Sequence, residues 1–482
     1  MANNRMSTRS VSPSQASEVQ PFRARMLTTR REAIRQRAIA RQARTDSWST
    51  ALATTLLVAT ILFQLIGATP YVHERTLDTN TGGGVLSPTY RYIWFGLTGL
   101  AVPLLWMRRG EIFGVLPRIW PYLLLCLWFA ASTTWALDPP TSQRRWILLM
   151  CQTSICVACC LGLRRPDAVF RALATSAAAM VLIDLASWIA LPSLSQTEIG
   201  LAAIHNHKNN LGIAMTFAML VSAPYFFTRK SWLGRLFWLF ILGSGLALLI
   251  ASRSKTSLNL VLISLVAASI LVGVMALPRR LLASAVAVSI CFVCGSVFFW
   301  LCFTIVPGDN PLAPLRDVTF TQRTDVWQFV LSEIAKRPLL GAGYGSFWDI
   351  NPAIQPSLQS GLWFSQADSP TNEAHNGYLD LLVSVGAIGF GLAIMVLLLW
   401  ATRGLLLLRR ALTARDADLR AQIPYLTFLA LFPIMIGLHN FLESTFFTTA
   451  GVFSFVVIFL GLDIDTRLAR LHSMSTASGA AY

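Results

Sequence analysis

Six short polar segments interrupt an otherwise apolar chain, and they hold the side chains able to move protons or bind anions. They read His205-Asn206-His207-Lys208-Asn209-Asn210, Ser252-Arg253-Ser254-Lys255-Thr256-Ser257, Gln322-Arg323-Thr324-Asp325, Gly341-Ala342-Gly343-Tyr344-Gly345-Ser346-Phe347-Trp348, Glu373-Ala374-His375-Asn376-Gly377-Tyr378-Leu379-Asp380 and His439-Asn440-Phe441-Leu442-Glu443-Ser444. Four of the six histidines of the chain fall in these segments. An imidazole titrates near neutrality and suits proton transfer. A guanidinium stays charged and forks onto phosphate oxygens. This mixture points to an anionic ligand and to proton transfer. His439 and Glu443 stand four residues apart, so on a helix they share a face and Glu443 can orient the imidazole.

The elements that must position these groups are membrane helices. The chain has 482 residues, of which 54% are hydrophobic and 13% charged, and its mean hydropathy is +0.56. A soluble domain carries about 25% charged residues, so a soluble globular protein, a disordered chain and a disulfide scaffold are excluded. Apolar runs predict twelve spans, near 50–68, 92–107, 119–136, 146–163, 169–191, 210–227, 234–251, 257–276, 281–305, 376–402, 423–441 and 446–462. With the N-terminus inside, each inside loop carries cations: Arg108, Arg109 and Arg118; Arg164, Arg165 and Arg171; Arg229, Lys230 and Arg235; Arg279 and Arg280; Arg403, Arg409, Arg410, Arg415 and Arg420. This agrees with the positive-inside rule and puts both termini in the cytoplasm. Orientation also accounts for the net charge of +16, so no nucleic-acid partner is inferred.

The expected organisation is an all-α integral membrane protein. Residues 1–48 form a basic, flexible cytoplasmic tail with ten arginines, 49–306 hold helices one to nine, 307–373 form a large outside loop, 374–465 hold helices ten to twelve, and 466–482 form a second tail. The long loop has no membrane-length apolar run. It should carry one amphipathic helix, Arg323 to Lys336, with Val326, Trp327, Val330, Leu331 and Ile334 as its stripe and Pro338 beyond its end. That helix should lie on the membrane surface or cap a cavity.

The six polar segments all fall outside by this topology, where cations are not needed for orientation. Lys208, Arg253, Lys255 and Arg323 therefore suggest an anion site, although Arg253 and Lys255 also suit snorkelling to the interface. His205 and His207 have no acidic or cysteine partner at a ligand spacing, so no metal is expected. Gly341, Gly343 and Gly345 follow no βαβ pattern and read as a turn presenting Tyr344 and Trp348. Asp463-Ile464-Asp465 reads as a solvated helix end. Asp184 lies mid-span and requires a partner that the sequence does not name. Cys126, Cys151, Cys156, Cys159, Cys160, Cys291, Cys294 and Cys302 all fall in or beside apolar runs and read as core residues rather than a disulfide framework.

The ordered set His-Lys-Asn-Asn-Leu-Gly, Ser-Arg-Ser-Lys-Thr-Ser, Arg-Thr-Asp-Val-Trp, Gly-Tyr-Gly-Ser-Phe-Trp and Ala-His-Asn-Gly-Tyr-Leu-Asp resembles the O-antigen ligase and polymerase superfamily over roughly residues 50–465. Within it, the His-Lys-Asn and Gly-Tyr-Gly-Ser-Phe-Trp segments look most like the exopolysaccharide, succinoglycan-type polymerase branch. The resemblance implies a GT-C-like helical bundle in the bacterial inner membrane with a periplasmic loop, no cofactor and no metal. It implies polymerisation of undecaprenyl-diphosphate-linked oligosaccharide repeat units, with membrane lipids, a chain-length regulator and export proteins as partners. By motif position, Arg253 and Arg323 correspond to the family's diphosphate-binding arginines, His375 to its catalytic loop histidine and His439 to a second family histidine. Lys255 joins the diphosphate set by chemistry, and Glu443 joins the catalytic set. His205, Lys208, Tyr344 and Trp348 are expected to bind sugar or acceptor; for the aromatics, interface anchoring fits equally. Two alternatives stay open: ligation of glycan onto lipid A–core, and a lipid-linked oligosaccharide flippase. The second would show inverted repeats and midplane polar residues, which the sequence lacks.

Overall fold

A computed structural model describes residues 13–67, 69–72, 88–281, 323–365, 371–448 and 451–479. Among these residues the architecture is helical, with one two-stranded ribbon. The helices are α1 (Pro13–Ile66), α2 (Pro88–Met107), α3 (Arg109–Ser132), α4 (Pro139–Gly162), α5 (Pro166–Ala190), α6 (Pro192–Ser195), α7 (Lys208–Phe226), α8 (Trp232–Ala251), α9 (Lys255–Ala276), α10 (Arg323–Lys336), α11 (Gly377–Thr413), α12 (Ala417–Arg420), α13 (Ile423–His439) and α14 (Val452–Gly479). Strands β1 (Gln196–Thr197) and β2 (Gly200–Leu201) pair antiparallel.

Seven of the helices are long and apolar enough to cross a membrane, and α13 is a shorter apolar helix. The chain is an all-α integral membrane protein. Helices overlap every predicted span except the ninth, of which residues 282–305 lie outside the described residues. The N-terminal tail differs from expectation: α1 runs unbroken from Pro13 into the first span. At the other end α14 continues through the expected tail to Gly479. Cys291, Cys294 and Cys302 lie outside the described residues; the other five cysteines are free, and Cys156, Cys159 and Cys160 are buried in the core.

Side-chain contacts sort the turns into two ends of the bundle. At one end, Gly451 donates its N–H to Gln64 Oε1 at 3.3 Å, and the neighbouring Leu65 carbonyl meets His205 at 2.9 Å. There too Asp138 donates its N–H to Ser346 Oγ at 2.7 Å. At the opposite end Arg108 pairs with Asp46 at 2.5 Å, Arg470 with Glu111 at 3.4 Å, and Arg403 with Asp465. Asp463 and Asp465, expected to be solvated, are instead 0% and 1% exposed. Arg467 neutralises the first at 2.5 Å and Arg403 the second, because a buried charge is tolerated only when paired.

Helix α10 forms over the predicted range. Its buried face is Val326, Phe329 and Val330, whereas Leu331 is half exposed. It packs on α11 and joins Ala342, Phe347, Trp348, Phe364, Ala374 and Val383 in a small second core. Helix α11 is two helices meeting at Gly386, whose φ of 67° and ψ of −179° break the ladder. The freed groups find partners in the loop that crosses there. Ala387 donates its N–H to the Pro338 carbonyl at 2.9 Å, and Ala342 donates to the Val383 carbonyl at 2.8 Å. Trp128 Nε1 donates to the Val385 carbonyl at 3.1 Å. Backbone at this depth survives only when its polar groups are satisfied within the protein. A β-carbon on Gly341 would meet Gly386 N at 2.5 Å, so the crossing requires glycine.

Candidate active site

The Gly-rich segment is a turn, as expected, with φ of 69°, 94° and 58° at Gly341, Gly343 and Gly345. It does not present its aromatics outward. Tyr344 is buried, stacks on Phe129 at 4.4 Å between ring centroids, and donates its hydroxyl to the Phe447 carbonyl at 2.6 Å. Trp348 is buried and donates Nε1–H to Asp380 Oδ1 at 2.6 Å. Arg145 Nη1 binds the Trp348 carbonyl at 2.8 Å, and its Nη2 binds the Asp349 carbonyl at 2.9 Å. Tyr344 and Trp348 thus anchor the loop on α3, α4 and α11.

The two polar turns that flank α11 and α13 clip together. Asn376 caps α11 by accepting from the N–H groups of Tyr378 and Leu379 at 3.1 and 3.2 Å. Gly377 donates its N–H to the Asn440 carbonyl at 2.8 Å and the Glu443 carbonyl at 3.1 Å. Asn440 is buried, and its Oδ1 accepts from the N–H groups of Thr445 and Phe446 at 2.8 and 3.1 Å. The clip brings His375 beside two carboxylates. Its Nδ1 lies 3.0 Å from Glu373 Oε1 and 3.4 Å from Glu443 Oε2. Arg323, at the start of α10, donates Nη1–H to the Leu442 carbonyl at 2.8 Å and places Nη2 3.7 Å from Glu443 Oε1.

The charges follow from this arrangement. Burial pulls the His375 pKa down, but the hydrogen bonds and charges of Glu373 and Glu443 outweigh it and lift the imidazole to about 9. Burial pushes Glu443 up, yet its bond to His375 and the charges of His375 and Arg323 hold the carboxyl below its ordinary value. Glu373, His375 and Glu443 each offer one ligand atom within 4.8 Å of the others, a spacing that also suits a divalent cation. Arg323 already supplies positive charge to Glu443.

The structure thus joins three predicted residues, His375, Glu443 and Arg323, in one cluster. Glu443 contacts His375 rather than orienting His439. His439 is 5% exposed, places Nδ1 3.3 Å from Thr445 Oγ1, and meets the Phe453 ring edge to face. Arg253 and Lys255 are exposed on the turn between α8 and α9, at the same end of the bundle. Among the described residues no hydrogen bond or ion pair joins either to the His375 cluster. Lys208 reaches the Ile199 carbonyl at 3.4 Å. His205 is buried, with Nε2 3.2 Å from Asp184 Oδ2, which supplies the partner Asp184 lacked. The Leu65 carbonyl only accepts, so His205 Nδ1 donates to it. Sequence reasoning assigned no role to Glu373, Asp380 or Asn440. The signal for Asp380 was a lone acid in the first turn of an apolar 37-residue helix.

The fold and cluster define a multi-pass helical membrane protein with proton-transfer groups and a guanidinium at one end of its bundle. Residues 215–394 match the family model described as O-antigen ligase, which supports the O-antigen ligase and polymerase superfamily for this chain. That family implies glycosyl-transfer chemistry of the ligase and polymerase type. The match spans α7 to the first part of α11 and contains Arg253, Lys255, Arg323 and His375; Glu443 lies beyond it. No curated protein matches the chain.

Proposed function

We propose that the protein polymerises undecaprenyl-diphosphate-linked oligosaccharide repeat units into exopolysaccharide at the periplasmic face of the bacterial inner membrane, with both termini cytoplasmic. The observation that carries this reading is the Arg323–Glu443–His375 cluster, where a phosphate-binding group and a proton acceptor share one carboxylate. In the reaction, the bond between the anomeric carbon and the diphosphate breaks and an acceptor hydroxyl oxygen bonds to that carbon. His375 takes the hydroxyl proton, and undecaprenyl diphosphate leaves with the electron pair. The donor bond supplies the energy, so no nucleotide is required.

Glu373 and Glu443 hold the His375 Nδ1–H, which leaves the Nε2 lone pair of the neutral ring toward the acceptor. Raised basicity strengthens the base but lowers its neutral fraction at pH 7, so the rate should climb as pH approaches about 9. Arg323 meets charge growing on the diphosphate, with Arg253 and Lys255 as further cations at the same end; losing one such preorganised donor costs about 10²–10³ in rate. Purified protein in nanodiscs with synthetic undecaprenyl diphosphate oligosaccharide tests the reading. A ladder of lipid-linked repeats is expected. Single transfer onto lipid A–core, with no ladder, would make the chain a ligase instead.

A further inference from the structure

His375 sits in the left-handed region, with φ of 49°. A non-glycine residue there is strained and persists only where its surroundings over-determine it. The neighbouring atoms show what determines it. Ala374, one residue before, donates its N–H to Asp380 Oδ2 at 2.9 Å and Oδ1 at 3.1 Å. The Ala374 carbonyl accepts Trp327 Nε1–H at 2.9 Å. The same Asp380 carboxylate accepts Trp348 Nε1–H from the Gly-rich turn and the Ser444 hydroxyl from the turn after α13. Three segments far apart in sequence therefore converge on one side chain. Among the described residues no cation forms an ion pair with it. A carboxylate buried among neutral donors is a poor way to stabilise a fold, so its geometric work needs a different account.

We propose that Asp380 is a positioning residue: it locks the Ala374–His375 turn to the Trp348 and Ser444 segments, and so holds the imidazole against Glu373 and Glu443. No apolar residue and no amide does this equally, because all three partners are donors and only a carboxylate accepts from all of them. The groups facing His375 are Glu373 on its own loop and Glu443 from the turn after α13, with Arg323 from α10 acting through Glu443 and His439 from α13 acting through the same two carboxylates. Releasing the Ala374 N–H frees the turn to relax toward ordinary φ, which withdraws the ring from both carboxylates.

The inference rests on the catalytic reading of His375 only for its effect on rate, so the experiment reads geometry separately. Histidine-labelled protein in nanodiscs is titrated by NMR, with His375→Gln used to assign the His375 signal, and turnover is measured alongside. In Asp380→Asn the His375 titration should fall from about 9 toward its ordinary 6.5, and kcat should fall roughly a hundredfold with little change in KM, as for a misplaced catalytic group. Asp380→Glu should recover part of both. Ser444→Ala and Trp348→Phe each delete one donor and should shift the titration the same way by less, which keeps the test open if Asp380→Asn does not fold. A His375 titration that stays near 9 in these variants would overturn the proposal. A titration that falls while turnover is unchanged would uphold the positioning and remove His375 from the chemistry.

Discussion

At the Arg403 end of the bundle, the two buried aspartates lie on α14 and each is closed with one cation. Asp463 pairs with Arg467 four residues on, Tyr425 donates its hydroxyl to the same carboxylate at 2.7 Å, and Arg403 and Trp400 both serve Asp465. At the His375 end, charges lie on turns and share partners: one Glu443 serves both Arg323 and His375, and the imidazole is 36% exposed. The backbone differs in the same sense. All six described non-glycine residues with positive φ, Tyr71, Ala203, Arg253, Asp349, His375 and Phe447, belong to the His375 end. Helical ion pairs need no unusual backbone, because side chains four residues apart already meet. Turns that aim groups from distant segments at one point do, and strain of this kind gathers at functional sites. The comparison separates charge that holds the bundle from charge that remains available to a ligand.

Substitutions at each end test that contrast. The largest effect should come from His375→Ala, which removes the proposed proton acceptor and should cost about 10²–10⁴ in turnover while the protein still expresses; normal polymer length in that variant would take His375 out of the mechanism. At the other end, Asp463→Ala should strand Arg467 in a buried site and destabilise by about 3–5 kcal/mol, with turnover per folded molecule preserved. Thermal unfolding in detergent measures it, and an unchanged midpoint would dissolve the contrast. Arg323→Lys should lose about 10²-fold in rate, since an ammonium does not bridge the Leu442 carbonyl and Glu443 as a fork does. Wild-type turnover there would reduce Arg323 to a point charge.

A smaller effect is expected on the pH dependence of stability. His375 has a folded pKa above its ordinary value, so its contribution is full below about 6.5 and is lost as pH rises through about 9. Glu443 is depressed, so its contribution is present above its ordinary 4.5 and is lost as pH falls through its lower folded value. Compared with wild type, His375→Gln should abolish the alkaline loss and weaken the acid one, because His375 is part of what holds Glu443 down. The smallest change should be in Tyr344→Phe, which loses one hydrogen bond worth about 1 kcal/mol and leaves substrate KM as it was. A raised KM would return Tyr344 to the sugar site.

Local rules were readable in the residues. The stripe of α10 and Pro338 gave that helix its limits, and the apolar runs gave the spans. The motif around His375 and Arg323 named two of the three clustered groups. What escaped was partnership between distant segments. Glu443 is four residues from His439 but 68 from His375, and the structure chooses the longer separation. Asp184 and His205 meet across a helix end and a loop, which no periodicity encodes. Asp463 and Asp465 looked solvated because acidic residues beyond an apolar run are ordinarily so; their burial depends on Arg403 in another helix. Tyr344 and Trp348 looked exposed because they stand in a glycine turn, yet that turn folds inward over α3 and α4.

The crossing at Gly386 has a consequence for reach. It lies nine residues along the helix from Gly377, about 14 Å at 1.5 Å per residue. Since Gly341 rests on Gly386 without a β-carbon between them, this contact fixes how far the His375 turn stands from the crossing loop. The glycine pair works as a spacer between the crossing loop and the His375 turn, and a side chain at either position would change that spacing.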